Sequence, residues 1–257
     1  MDREYPALWE SGKQSRMAAM ITNLPTERVN YWTHFLGFLA WIPVTVLLLL
    51  VSGGLLQLSP AFWPLGWNAV PTVRWDLLAT SLIYGLGVMF LFFCSSTYHK
   101  NKRAENEKSF WRTMDHFAIF VMIAASYTPV VWIWFDPAWR VPTLLIQWGV
   151  TLAGLLFKLF LPKAPRWIDP VLYVLMGWVA VVDLVPLYQN MPTMVFFDML
   201  WGGAWYTVGA VIYALKKPNF KPGVFGFHEL FHLFILGGAA THCSMVLRSV
   251  IATAGAL

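Results

Sequence analysis

The sequence predicts an all-α membrane domain of seven transmembrane helices, and three observations carry that expectation. Of its 257 residues, 58% are hydrophobic and only 12% charged, whereas a soluble domain carries roughly 25% charged residues. The apolar residues gather in runs long enough to cross a bilayer, divided by Pro, Gly, Asn and Lys. At about 22 residues per crossing, seven crossings take roughly 154 residues, which leaves the rest for tails and short loops. The third observation is the placement of Lys and Arg, which fall mainly on alternate connections. A net charge of +5 with a pI near 9.2 would suggest nucleic acid in a soluble protein. Here topology accounts for the basic residues, so no nucleic-acid partner is expected.

Residues 1–28 read as a polar tail. They mix Asp, Glu, Lys and Arg with Pro and hold no apolar core of signal-peptide length, so the first span serves as the insertion signal. The domain proper is 29–257. Its first span runs at about 32–56, and the second at 77–98 follows a Trp/Pro/Gly-rich linker carrying Arg74 and Asp76. The third, 111–134, stops at Asp136-Pro137, and the fourth, 142–161, at Pro162-Lys163-Ala164-Pro165. The fifth, 168–188, stops at Asn190-Met191-Pro192; the sixth, 194–215, at Lys216-Lys217-Pro218; the seventh covers 223–250. Many of the 15 tryptophans lie near these boundaries, as interfacial aromatic belts require. Cys94 and Cys243 sit inside apolar runs and read as free thiols. No internal repeat or low-complexity segment is evident.

Orientation follows from the basic residues. The tail has four, the second–third connection five (Lys100, Lys102, Arg103, Lys108, Arg112), the fourth–fifth three including Lys158, and the sixth–seventh three. The other side keeps only Arg74, Arg140 and Arg248, so the N-terminus is expected in the cytoplasm and the C-terminus outside. This counts against a rhodopsin-like or G-protein-coupled receptor. A retinal pump also needs a lysine in its last helix, and residues 222–257 contain none.

Ionisable groups inside a span are costly and mark function by default. Lys158, Asp169, Asp183 and Asp198 lie near span ends, where snorkelling or hydration explains them. The others converge. His99 ends span two, Asp115 begins span three, and His228, Glu229 and His232 begin span seven, all in the cytoplasmic leaflet. The i, i+4 spacing of His228 and His232 puts both imidazoles on one helical face, where two nitrogens can share a metal ion. With His99 at the same depth the reading is a three-histidine site. Zinc held by three nitrogens keeps a fourth position for water, and Asp115 is placed to hold or deprotonate that water. Ser95, one turn before His99, is a candidate hydrogen-bond partner for a ligand, the zinc-bound water or a developing oxyanion, the alternative being a serine that bonds back to its own helix. His242 is too deep for the same metal and reads as cavity lining or packing. Tyr127-Thr128-Pro129 most simply makes a kink.

These residues together resemble the haemolysin III proteins, within the larger group of progestin and adipoQ receptors. The resemblance covers Glu27-Arg28-Val29-Asn30 with Thr33-His34 and Gly37, Ser95-Ser96-Thr97-Tyr98-His99, Asp115-His116 through Tyr127-Thr128-Pro129, and His228-Glu229-Leu230-Phe231-His232 with Ala239-Ala240 and His242. It implies seven helices with a cytoplasmic N-terminus and zinc in the inner leaflet, held by His99, His228 and His232. Asp115 would hold the water and Ser95 would be the helix-two serine; His34 and His116 receive no role. Because eukaryotic relatives are linked to ceramidase activity, the resemblance implies zinc-dependent hydrolysis of a lipid amide or ester, with membrane lipid as substrate. The tail is short beside those of adiponectin receptors, so a bacterial-type protein of the cytoplasmic membrane is expected rather than a hormone receptor. The alternative is a non-enzymatic lipid-sensing receptor with structural zinc. A weaker third reading takes His-Glu-Leu-Phe-His as the motif of an intramembrane metalloprotease with Glu229 as base.

Overall fold

The computed structural model describes residues 25–56, 73–104, 107–160, 168–221 and 224–254. Most of the expected tail, the linker up to residue 72 and the Pro162 to Pro165 stop lie outside the described residues. Helix α1 spans Pro25–Ser52, α2 Trp75–Asn101, α3 Phe110–Trp134 and α4 Pro137–Phe160. The next crossing is broken: α5 (Ile168–Gly177) passes through a 3-10 turn at Val179–Asp183 into α6 (Leu184–Asn190). Helices α7 (Thr193–Leu215) and α8 (Phe227–Ala254) complete the bundle. Among the described residues, seven helical stretches are long and apolar enough to cross a membrane, and no strand occurs.

Several boundaries differ from the sequence reading, each for a local reason. The first helix begins at Pro25, inside the expected tail, because proline suits a first helical position and Glu27 places an acid in the first turn. The fourth begins at Pro137 rather than residue 142: Asp136 Oδ1 accepts from the Ala138 N–H at 2.8 Å, so it caps the helix, and Pro142 fits without ending it. The last begins at Phe227, with the Gly226 N–H donating to Glu229 Oε2 at 2.7 Å.

The bundle has an apolar core, and its surface is apolar as well. Leu36, Leu39, Ile42, Val46 and Leu50 line an exposed apolar stripe on α1, while Ser81, Ser95, Ser126, Thr128 and Gln147 are buried. The outer stripe suits acyl chains. Two of the inner hydroxyls bond back to their own helices, Ser126 to the Met122 carbonyl at 2.8 Å and Thr128 to that of Ala124 at 2.9 Å, while Ser81 Oγ is buried without a partner. Helix α2 lies between α1 and α3, and α8 lies against α1, α3 and α7. Close approach of α2 and α3 needs a small residue: a Cβ at Gly87 would stand 2.3 Å from that of Ala125.

The break in the fifth crossing frees backbone groups that lipid cannot satisfy. Tyr127 of α3 supplies partners for two of them. Its hydroxyl donates to the Gly177 carbonyl at 2.7 Å and accepts from the Ala180 N–H at 2.9 Å. Gln147 donates to the Met176 carbonyl at 3.1 Å. Of the ionisable groups near span ends, Lys158 pairs with Asp169 and Arg248 with Asp198 at 3.0 Å, which fits their structural reading, whereas Asp183 Oδ2 is buried without a hydrogen-bond partner.

Candidate metal centre

The site forms where the end of α2 meets the start of α8, at the end of the bundle that carries the basic connections. His99 occupies the last turn of α2, and His228 and His232 lie one turn apart at the start of α8. Their rings converge, with centroids 5.1 Å apart for His99 and His228, 4.8 Å for His99 and His232, and 5.0 Å for His228 and His232. One nitrogen from each lies within 4.8 Å of the others, a group that could hold a metal ion. Imidazole nitrogens around a tetrahedral ion stand about 3.3 Å apart, so the three rings must draw closer to hold one.

The first turns of α1 support this centre through residues 27, 30 and 34, which share one helical face. Glu27 Oε2 accepts from His99 Nδ1 at 2.6 Å, and its Oε1 pairs with Lys102. With Nδ1 committed, the lone pair of His99 lies on Nε2, which is buried without a protein partner. An orphaned imidazole nitrogen facing two further histidines fits a metal ligand. Asn30 donates to Glu229 Oε1 at 2.9 Å and ties α1 to the α8 first turn. His34 is buried, and its ring stacks on His232 with centroids 3.8 Å apart.

The other expected residues are placed differently. Ser95 is buried one turn before His99 on α2. Asp115 stands outside the group of ligand nitrogens, with Oδ2 3.6 Å from His116 Nδ1. His116 donates from Nδ1 to the Arg112 carbonyl at 2.8 Å, a local helix contact. Glu229 has one oxygen on the Gly226 N–H and the other on Asn30, so it caps and ties a helix and is not presented as a free base. His242 packs between α7 and α8: a Cβ at Gly202 would stand 2.0 Å from its Cδ2, and its ring meets the Tyr206 edge at 5.3 Å.

Glu27, Asn30 and His34 received no role in the site from sequence reasoning. The signal was present as three polar residues at helical spacing in the first turns of a mainly apolar helix. It was hidden because residues up to 28 read as tail.

Comparison with known proteins agrees with the architecture. Residues 22–243 match the family described as Haemolysin-III related. The chain is 29% identical over 239 residues to Hemolysin-3 of Bacillus cereus, covering 93% of this chain and 98% of that protein. It is 28% identical over 221 residues to a Hemolysin-3 homolog of Bacillus subtilis, covering 86% of this chain and 92% of that protein. A plant protein, Heptahelical transmembrane protein 1 of Arabidopsis thaliana, is 28% identical over 242 residues, 86% of this chain and 68% of its own length. With a family match across nearly all the helical bundle and the histidine cluster on its inner faces, the chain belongs to the haemolysin-III related family of multi-pass membrane proteins.

Proposed function

We propose that this protein is a zinc-dependent hydrolase of lipid amide or ester bonds, with a membrane lipid as its substrate. The observation that carries the reading is the orphaned Nε2 of His99, held by Glu27 toward His228 and His232. Three imidazole nitrogens suit a borderline metal and leave one position open, the arrangement of catalytic rather than closed structural sites. When bound, the metal supplies Lewis acidity, which polarises a carbonyl and activates water at neutral pH.

The chain's own residues carry the remaining roles. Glu27 fixes the His99 tautomer and raises the basicity of Nε2. Asp115, at the start of α3, takes the proton from the attacking water, and Ser95 donates a hydrogen bond to the carbonyl oxygen. The apolar outer surface lets an acyl chain approach sideways from the bilayer. The same reading puts the protein in a bacterial cytoplasmic membrane with the centre in the inner leaflet, supported by the charge asymmetry and the Bacillus relatives.

A second reading, a non-enzymatic lipid-responsive regulator with structural zinc, draws on the position of Asp115 outside the ligand group. One experiment separates the two. Purified protein is assayed for zinc by mass spectrometry and for turnover of lipid amides and esters, wild type beside Asp115→Ala. About one zinc per chain in both, with turnover abolished only in the variant, is expected; zinc without turnover on any substrate favours the regulator, and wild type without zinc overturns both.

A further inference from the structure

The end of the bundle opposite the histidine centre contains a pocket of about 540 Å³ between the α3–α4 turn and the end of the broken fifth crossing. Its walls include Trp134, Asp136, Trp139, Arg140, Asp183 and Asn190. The volume lies within the range that holds a small ligand or a lipid headgroup. Its charges are of both signs and do not neutralise one another. Asp183 Oδ2 is buried with no hydrogen-bond partner. Arg140 spends Nε on the Phe135 carbonyl at 3.0 Å, and among the described residues no ion pair involves its guanidinium. Asp136 gives Oδ1 to the Ala138 N–H, which caps α4, and its second oxygen adds a further negative charge to the wall. A cationic and an anionic anchor thus face one pocket without touching, which is complementary to a ligand that carries both charges itself.

We propose that this pocket binds a zwitterionic phospholipid headgroup with a primary ammonium and a phosphate, that of an ethanolamine phospholipid. Arg140 takes the phosphate oxygens through its terminal N–H groups, which match phosphate geometry. The ammonium donates to Asp183 Oδ2 and lies among the tryptophan rings, where a cation is favoured. A choline headgroup has no N–H to donate and leaves Oδ2 unpaired; a glycerol headgroup brings phosphate without a cation. The order of preference is therefore ethanolamine over choline and glycerol. The location suits a lipid, since the α3–α4 turn and its tryptophans stand where a helical bundle meets the headgroup layer. Neither anchor belongs to the histidine centre, so the proposal is independent of the hydrolase reading.

The test is native mass spectrometry of the full-length protein in detergent with equimolar ethanolamine, choline and glycerol phospholipids of identical acyl chains. Wild type is expected to retain the ethanolamine lipid about tenfold over the choline lipid, the worth of one charge-assisted hydrogen bond. Asp183→Asn should bring the two to parity, and Arg140→Gln should lower retention of all three, with monodispersity and thermal midpoint in detergent unchanged in both as the check on folding. Equal retention of the lipids by wild type, or an Asp183→Asn variant that keeps the preference, would overturn the proposal. Soluble glycerophosphoethanolamine is expected not to displace the lipid at equal concentration. Displacement would assign the pocket to a water-borne zwitterion and overturn the lipid assignment.

Discussion

Glu27 is the residue on which the histidine centre most depends without itself being a ligand. Its carboxylate sits between His99 Nδ1 and Lys102, so it fixes one imidazole while its charge is compensated from the other side. Loss of an outer-shell partner of this kind typically costs about 10- to 100-fold in metal affinity. Glu27→Gln is expected to weaken zinc binding by that factor in a chelator competition, with the variant still monodisperse; unchanged affinity would mean that His99 does not bind through Nε2. Glu229 shows the opposite case, a conspicuous acid in a zincin-like motif whose two oxygens are already engaged by Gly226 and Asn30. Glu229→Gln keeps one acceptor oxygen and loses the other. Stability should fall by about 1–3 kcal/mol, while zinc content and any lipid turnover persist. Loss of turnover with zinc retained would revive the protease reading and remove the structural account of this residue.

At the scale of the helix, the informative feature is the broken fifth crossing. A 3-10 segment within the membrane exposes carbonyl and N–H groups that a continuous helix would satisfy, and lipid offers them no partner. Tyr127 bridges the break with a single hydroxyl that both donates and accepts. Proline at 129 drew attention to this stretch as a kink, yet the tyrosine two positions earlier has the interhelical role. Tyr127→Phe preserves the ring and removes both hydrogen bonds, leaving a carbonyl and an N–H unsatisfied. The expected cost is about 2–4 kcal/mol from two lost partners, read as a lower midpoint in thermal unfolding in detergent. A midpoint equal to wild type would show that the break is satisfied by other means. Helix α1 makes a related point. Its outer stripe faces lipid while its first turns present Glu27, Asn30 and His34 inward, so a single helix meets both the bilayer and the polar centre.

For the molecule as a whole, the two ends of the bundle are chemically distinct. One gathers the basic connections and the histidine cluster; the other holds few basic residues and the mixed-charge pocket. Positive-inside insertion predicts that the basic end faces the cytoplasm. A cysteine replacing Lys108 should react with a membrane-impermeant maleimide only after cells are opened, and one replacing Trp139 should react in intact cells. The reverse pattern would invert the topology and place the histidine centre in the outer leaflet. The chain also has its two polar centres at opposite interfaces, with the apolar bundle between them. The proposed metal binding at one and the proposed lipid binding at the other are therefore separable measurements.

Sequence by itself determined the all-α class, the seven crossings, the metal-binding potential of His99, His228 and His232, and the family, because bilayer thickness and helical period are local rules that residue order obeys directly. The break in the fifth crossing was invisible to hydropathy, since a 3-10 turn of apolar residues is as hydrophobic as a helix. Only the tertiary structure showed that α1 reaches the site, because the contact between Glu27 and His99 joins residues 72 positions apart. It alone also distinguished Glu229 as a capping and tying residue from a general base. Which carboxylate is free, and which is spent on holding a helix, depends on partners brought in by folding, and those partners are not written in the motif.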